Sequence, residues 1–345
     1  MIKVFSFLLF FGIFCFEAQS QCLWYRGVCQ ADWMRNLSTL VKQRPVTQLK
    51  LPGSHDSGAF ELNLTATTNM EKTTLFNWFK KQAESSDLIA QLLGKLILTQ
   101  PLSIIEQLEQ GIRAFDFRIL YNKPFQEFFL SHSFATVFMN TALGQIQSFL
   151  SKHPGEVILV QMESDSEHVL ETDPYADQAI AQVQSILGDY LIPVSANQTL
   201  NDTMTLQSFV DSNKRILFSY TDFQKSNYSH IWSEGVINKH WPNGQTVEEA
   251  MSTIQTYLPV LQIPTHEFLN VIYFVVTPDQ NSVLAGLIAQ AFNCGIPLSL
   301  VDWAEQINPV ALDFMNANKA NLPGANIIYA DAPSDNYIQQ VINLN

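Results

Sequence analysis

"GIRAFDFRIL", residues 111–120, is the stretch on which the fold turns. Gly111 closes a helical pattern, "PLSIIEQLEQ" (101–110). The residues after it are β-rich and nearly continuously apolar, as in a strand buried on both faces. Two charges interrupt that run. Asp116 and Arg118 are two apart, so they share one face of the strand. Standing alone, they would read as a structural ion pair.

Outward from this strand, further β-rich runs recur. They are "TQLKL" (47–51), "QEFFLSH" (126–132), "EVILVQME" (156–163), "RILFSY" (215–220), "VIYFVV" (271–276), "PLSLVDW" (297–303) and "NIIYA" (326–330). Helical patterns separate many of them, among them "TALGQIQSFLSKHPG" (141–155) and "DPYADQAIAQVQSILGDYL" (173–191). Alternating strands and helices predict an α/β architecture around a parallel sheet. Eight strands fit a distorted (β/α)8, TIM-like barrel in a single domain over 21–345. Too little chain separates "RAFDFR" from "LSHSF" for a crossover helix, so at least one unit departs from the ideal barrel.

Composition bounds the partners. The chain has 345 residues and a formal net charge of −13. That charge is repelled by nucleic acid and gains nothing from an anionic membrane surface. The N-terminal "MIKVFSFLLFFGIFCFEAQS" predicts a signal peptide over 1–20, cut after Ser20, and therefore a secreted, extracellular protein. Cys22 and Cys29 are near enough to close a small loop, and Cys294 would be left over; pairing of Cys294 with either is the alternative. Cys/His spacing of the zinc type is absent. Asn36, Asn63, Asn197, Asn201 and Asn227 are glycosylation sequons.

In barrels, chemistry collects at the C-terminal ends of strands. Four such ends carry unusual residues: Ser54-His55-Asp56 in "LPGSHDSGAF" (51–60), Asp116 with Arg118, Ser131-His132-Ser133, and Asp302 in "LVDWAE". His132 alone would read as a core histidine, and Asp302 as a helix cap. As a set, two histidines with carboxylates and an arginine match in-line displacement at a phosphodiester. One imidazole takes a proton and the other gives one. A cation meets the charge on the equatorial oxygens.

With these motifs in order, the sequence resembles the phosphatidylinositol-specific phospholipase C family in its X-domain form. It is most similar to the calcium-independent, secreted, single-domain enzymes of bacteria. "LPGSHDSGAF", "EQGIRAFDFRI" and "LSHSF" resemble the first-histidine, Asp-x-Arg and second-histidine motifs, and "LVDWAE" resembles the late carboxylate strand. The resemblance implies that His55 is general base toward the inositol 2-hydroxyl, with Asp302 behind it, or else the nearby Glu305. It makes His132 the general acid, with Asp56 as its partner. Arg118 stabilises the phosphorane charge, and Asp116 fixes Arg118 or the hydroxyl. It implies no metal and no cofactor, because Asp56 and Arg118 replace the residues that calcium users carry. Glu163 and Tyr220 fall where headgroup contacts are expected.

The implied substrate is a phospholipid or inositol phosphodiester, cleaved to diacylglycerol and a cyclic inositol phosphate. Other readings are a lyase on a glycosyl-phosphatidylinositol anchor or glycerophosphoinositol, and a catalytically silent lipid- or protein-binding relative. A monomer is expected. Transient membrane contact is assigned to the aromatic–Lys runs "TTLFNWFKK" (73–81), with Trp78 and Phe79, and "YNKPFQEFF" (121–129). Core packing is the other reading of both.

Overall fold

The computed structural model describes residues 24–25, 28–66, 94–166, 172–195, 197, 199–221, 228–278, 297 and 299–345. The predicted signal peptide, Cys22, Cys294, Asn227 and the run 73–81 lie outside the described residues, as does the Cys29 side chain.

A short antiparallel hairpin, β1 (Trp24–Tyr25) and β2 (Val28–Cys29), precedes the barrel. The barrel strands are β3 (Leu51–Ser54), β4 (Ala114–Asn122), β7 (Ile158–Ser164), β8 (Ile216–Tyr220), β9 (Trp232–Ser233), β10 (Ile237–His240), β11 (Leu269–Phe274) and β12 (Ala325–Ala330). They pair in parallel in the order β10-β11-β12-β3-β4-β7-β8-β9. The first and last strands of the chain order, β3 and β12, are therefore neighbours, as barrel closure requires. Among the described residues no ladder joins β9 to β10, so the sheet is a curled, open barrel.

Helices cover most of the sheet. Ile104–Glu109, Met139–Lys152 and Ala176–Leu187 pack their apolar faces against the outward residues Phe115, Phe117, Val160 and Phe218. Val247–Leu261, Leu300–Ala317 and Asp335–Ile342 do the same over Ile272, Phe274 and Ile328. Alternate strand residues, including Leu51, Leu159, Leu217, Val271, Tyr273 and Tyr329, fill the interior. Both faces of the sheet are thus covered, which explains the nearly continuous apolar runs.

The departure from an ideal barrel is an insertion. After six residues paired with β7, β4 runs on and pairs antiparallel with β5 (Glu127–His132), which pairs with β6 (Phe134–Phe138). The run 121–129 is this hairpin, with Phe128 and Phe129 buried and, of its aromatic residues, only Phe125 exposed, at the turn. It is a sheet segment rather than an interfacial loop.

Three boundaries differ from the expectation. The first strand is "LPGS", not "TQLKL", whose first two residues lie in the 3-10 turn Val46–Gln48. Proline and glycine argue against a strand, but here each has a use. The Pro52 carbonyl accepts from the Arg113 amide at 2.9 Å. A Cβ on Gly53 would lie 2.4 Å from the Tyr329 ring, so only glycine lets β12 approach. Next, "PLSLVDW" is no strand: Ser299 caps the helix Leu300–Ala317. Last, the barrel takes β9 and β10 from "WS" and "INKH", which are too short and too polar to stand out.

At the bottom of the barrel, Arg113 and Glu156 form a fully buried ion pair, Nη2–Oε2 2.8 Å. Arg113 also donates to the carbonyls of Ala31 and Leu108, and Glu156 accepts from the Met34 and Arg35 amides. With every polar atom supplied, such a pair is tolerable in a core, and it ties the N-terminal segment to the sheet.

Candidate active site

His55 and Asp56 follow β3 directly, in a tight loop that serine builds. Ser57 donates its hydroxyl to the Ser54 carbonyl (2.6 Å), and its oxygen accepts from the Asp116 amide (2.8 Å). Loop and β4 are thereby locked together. Asp56 is held at φ 43°, in the left-handed region. Ser133, beside His132, and Ala332, after Asp331, are also left-handed. Such conformations are costly and tend to collect where geometry is functional.

The structure gathers His55, Asp56, Asp116, Arg118 and His132 around one cavity of about 230 Å³ at the C-terminal mouth. Trp241, Thr277 and Leu300 complete its walls. His55 Nδ1 lies 2.8 Å from Asp331 Oδ1. His55 Nε2 faces Arg118 Nη2 at 2.9 Å, Asp56 Oδ2 at 3.2 Å and Asp116 Oδ2 at 3.8 Å. His132 is turned the other way round: its Nδ1 is 2.7 Å from the Ile97 carbonyl, and its Nε2 is 3.6 Å from Asp56 Oδ2. Each ring is anchored through Nδ1, and both Nε2 atoms face the same carboxylate.

Asp302 is not the partner of His55. It lies at the third position of the helix Leu300–Ala317, accepts from the Ser299 amide at 2.8 Å, and completes a capping box. Asp331, directly after β12, holds the place expected for it. Asp302→Asn should weaken the interaction with the helix N-terminus, worth about 0.3–1 kcal/mol. The expected readout is a small drop in Tm with catalysis untouched.

Tyr220 is also misplaced by the sequence reading. It is fully buried on the outer face of β8, where its hydroxyl meets Ser164 Oγ at 3.1 Å. The inward neighbour at that level is Ser219. Glu163 does face inward from β7, but it is already paired: Oε2 with Lys239 Nζ at 2.5 Å and Oε1 with Arg118 Nε at 3.4 Å. Lys239, from the overlooked β10, is the further cation at the mouth.

Sequence reasoning also missed supports of the histidines. Asp165 Oδ2 accepts from Ser131 Oγ (2.8 Å) and the Ser133 amide (2.9 Å), bracketing His132. Gln100 donates to the His55 carbonyl at 2.7 Å, and Thr99 donates to the Asp56 carbonyl at 3.1 Å. The Thr99 carbonyl in turn accepts from the Ala332 amide. The segment 97–100 is thus a strap joining the ends of β3, β5 and β12.

Electrostatics follow from this crowding. Burial would depress the proton affinity of His55, but the carboxylates of Asp56 and Asp331 overcome it and lift the pKa to about 9. Burial would raise Asp56, yet Arg118, His55 and His132 hold it below the usual carboxylate value. Burial pushes Asp331 up, against the pull of His55. Burial acts against the charge on Arg118, but Asp56, Asp116 and Glu163 keep it firmly cationic.

The 2.9 Å contact describes neutral His55, with Nδ1–H donating to Asp331 and Nε2 accepting from Arg118. On protonation Nε2–H would turn to Asp56, and the guanidinium must give way. The ligand atoms of His55, Asp56 and Asp116 lie within 4.8 Å of one another, a spacing a cation would accept. Arg118 already faces all three, with Nε 2.6 Å from Asp56 Oδ1. The donor set therefore fits a guanidinium in the place of a metal.

No family model matches the chain. Among curated proteins, PI-PLC X domain-containing protein 2 of Mus musculus is 28% identical over 309 residues, covering 88% of this chain and 84% of that protein. Phosphatidylinositol-specific phospholipase C from Listeria monocytogenes superposes with a TM-score of 0.60 at 18% identity, covering 92% of this chain and 99% of that one.

Over most of its length the chain is similar to the X-domain phospholipase C-like proteins.

The same barrel also appears in the Staphylococcus aureus phosphatidylinositol-specific phospholipase C solved in a study of its membrane binding, with a TM-score of 0.59 at 18% identity over 92% of this chain and 97% of that one. This chain therefore shares the barrel fold of the bacterial phospholipases C.

Proposed function

We propose that this protein is a phospholipase C-type phosphodiesterase that acts by general acid–base catalysis on an inositol phospholipid. The observation that carries the reading is Asp56 Oδ2, lying between the Nε2 atoms of His55 (3.2 Å) and His132 (3.6 Å) beside the Arg118 guanidinium. Two oppositely anchored imidazoles that face one space can take a proton on one side of a phosphorus and return one on the other.

In this reading the inositol 2-hydroxyl loses its proton to His55 Nε2 and attacks phosphorus. Arg118 swings from His55 onto the phosphoryl oxygens, where its planar fork matches their geometry. Protonated His132 gives its Nε2 proton to the glycerol oxygen, and that P–O bond breaks. The products are diacylglycerol and a cyclic inositol phosphate. Buried oxygens of Asp56 and Asp116 lack aligned hydrogen-bond donors and would accept from substrate hydroxyls. No metal takes part in these steps.

Secretion belongs to the same proposal. Its supports are the apolar N-terminus and the exposure of Asn36, Asn197 and Asn201, which a glycan requires. The test is incubation with short-chain phosphatidylinositol in excess chelator, followed by phosphorus NMR. A cyclic phosphate resonance is expected. Loss of turnover restored by calcium would overturn the metal-free mechanism.

A second reading has one observation in its favour. Arg118 caps His55 Nε2 at 2.9 Å, as in a closed, catalytically silent relative that only binds. No turnover of any inositol phosphodiester, with binding retained, would establish it.

The raised His55 gives a pH signature. A general base must be unprotonated, and below its pKa of about 9 the ring holds a proton. The acidic limb of kcat/KM should therefore rise with pH toward about 9, well above an ordinary histidine near ~6.5. Asp331→Asn removes one of the charges that raise it, so the limb should move to lower pH. A wild-type limb at the ordinary histidine position would show that His55 is not the base.

A further inference from the structure

We infer that an apolar groove beside the catalytic cavity receives an acyl chain of the lipid substrate, an assignment that rests on the catalytic reading above. The groove has a volume of about 650 Å³ and is lined by Phe60, Leu62, Leu64, Leu98 and Val301, with Gln100 at its base. The five apolar residues are half-buried. The volume falls within the roughly 300–1,000 Å³ usual for small-molecule sites.

Continuity with the cavity points to the occupant. The two spaces share two walls. Along the strap, Leu96 and Thr99 face the cavity, whereas Lys95, Leu98 and Gln100 face the groove. Along the start of the helix Leu300–Ala317, Leu300 faces the cavity, whereas Ser299 and Val301 face the groove.

The direction of the chemistry points the same way. The group that protonates the leaving oxygen must stand on the leaving group's side, and His132 is anchored to the strap through the Ile97 carbonyl. Diacylglycerol is therefore released against the strap, whose next residue, Leu98, opens onto the groove. A soluble glycerophosphoinositol has no chain to place there, so the groove selects an acylated substrate.

The strap also gives the groove a way to act on the catalytic groups. Thr99 and Gln100 hold the carbonyls of Asp56 and His55, and Ile97 holds His132. A chain packed on Leu98 would fix the strap and with it the His132 ring.

Two measurements test this. In the first, kcat/KM is followed over phosphatidylinositols of increasing acyl length, all kept monomeric, with glycerophosphoinositol as the unacylated reference. Each methylene that enters the groove should raise kcat/KM by up to about fourfold, as apolar burial does. Leu62→Glu and Val301→Glu should flatten that slope. A flat wild-type slope with glycerophosphoinositol still turned over would overturn the groove and leave the catalytic reading standing.

The second does not need turnover. A short-chain phosphatidylinositol with a photoreactive acyl terminus is crosslinked and mapped by mass spectrometry. Labels within 60–64, 95–101 or 299–301 are expected. Labels confined elsewhere would overturn the proposal. Labels in the groove of a protein that turns over nothing would support it and overturn the catalytic reading instead.

Discussion

His55→Ala should lower kcat/KM by about 10²–10⁴-fold, the usual worth of a general base, and Asp331→Asn should follow it with a smaller loss. Asp302→Asn should turn over at the wild-type rate. The order of the three decides which carboxylate serves the base. His55 is 5% exposed, and its Nδ1 is bonded to Asp331 at 2.8 Å. Removal of the ring leaves nothing within reach of the attacking hydroxyl that is both basic and uncommitted: Asp56 is still held low by Arg118 and His132, and Asp116 faces Arg118. The asparagine at 331 still accepts from Nδ1–H, so the tautomer survives while the negative charge is lost. Turnover of all variants is read beside a melting curve, since His55 is part of the buried charge cluster. Near-normal kcat/KM in a folded His55→Ala protein would remove His55 from the mechanism, and an inactive Asp302→Asn protein would remove Asp331.

The confusion of Asp302 with Asp331 shows what a sequence can and cannot carry. Asp116, Arg118 and His132 were legible because each lies within a strand whose apolar pattern is unmistakable, and His55 and Asp56 because that pair is out of place directly after the apolar-alternating stretch 46–51. Asp331 obeyed the same rule: it follows "NIIYA", which reads as a strand. The "LVDW" run hid it, because a helix buried along one side begins with the same apolar residues as a strand. Only the capping pattern at Ser299 and Asp302 separates the two. Tyr220 failed on parity. One residue along a strand changes the face, and Ser219, not Tyr220, points into the barrel.

The number of parallel strands came out at eight although two of the runs did other work. "QEFFLSH" belongs to the antiparallel insertion and "PLSLVDW" to a helix, while β9 and β10 were unread. Such short strands have no pattern of their own; their neighbours in the sheet define them. The supports of the site, Ile97 through its carbonyl and Gln100 through its amide, were invisible for a similar reason. A backbone carbonyl carries no sequence signal, and a glutamine declares its partner only once the chain has folded.

His132→Ala separates acid from base through the leaving group. On phosphatidylinositol the variant should lose about 10²–10⁴-fold in kcat/KM, because diacylglycerol departs as an alkoxide and needs a proton. On a nitrophenyl inositol phosphate the leaving phenolate needs little help, so the same variant should recover most of that loss. His55→Ala should show no such recovery, since the attacking hydroxyl must be deprotonated for either substrate. The structure makes the contrast clean. His132 hangs from the Ile97 carbonyl and is bracketed by Asp165 through Ser131 and Ser133, apart from the bonds that hold His55 to Asp331. Asp56 touches both rings, so Asp56→Asn should lose activity on both substrates and recover only in part on the better leaving group. Asp165→Asn keeps an acceptor for the two donors beside His132 but not its charge, and should show the His132 pattern in milder form. Recovery by His55→Ala in place of His132→Ala would exchange the two roles: the leaving oxygen would then lie on the Asp331 side of the cleft, and diacylglycerol would be released away from the strap.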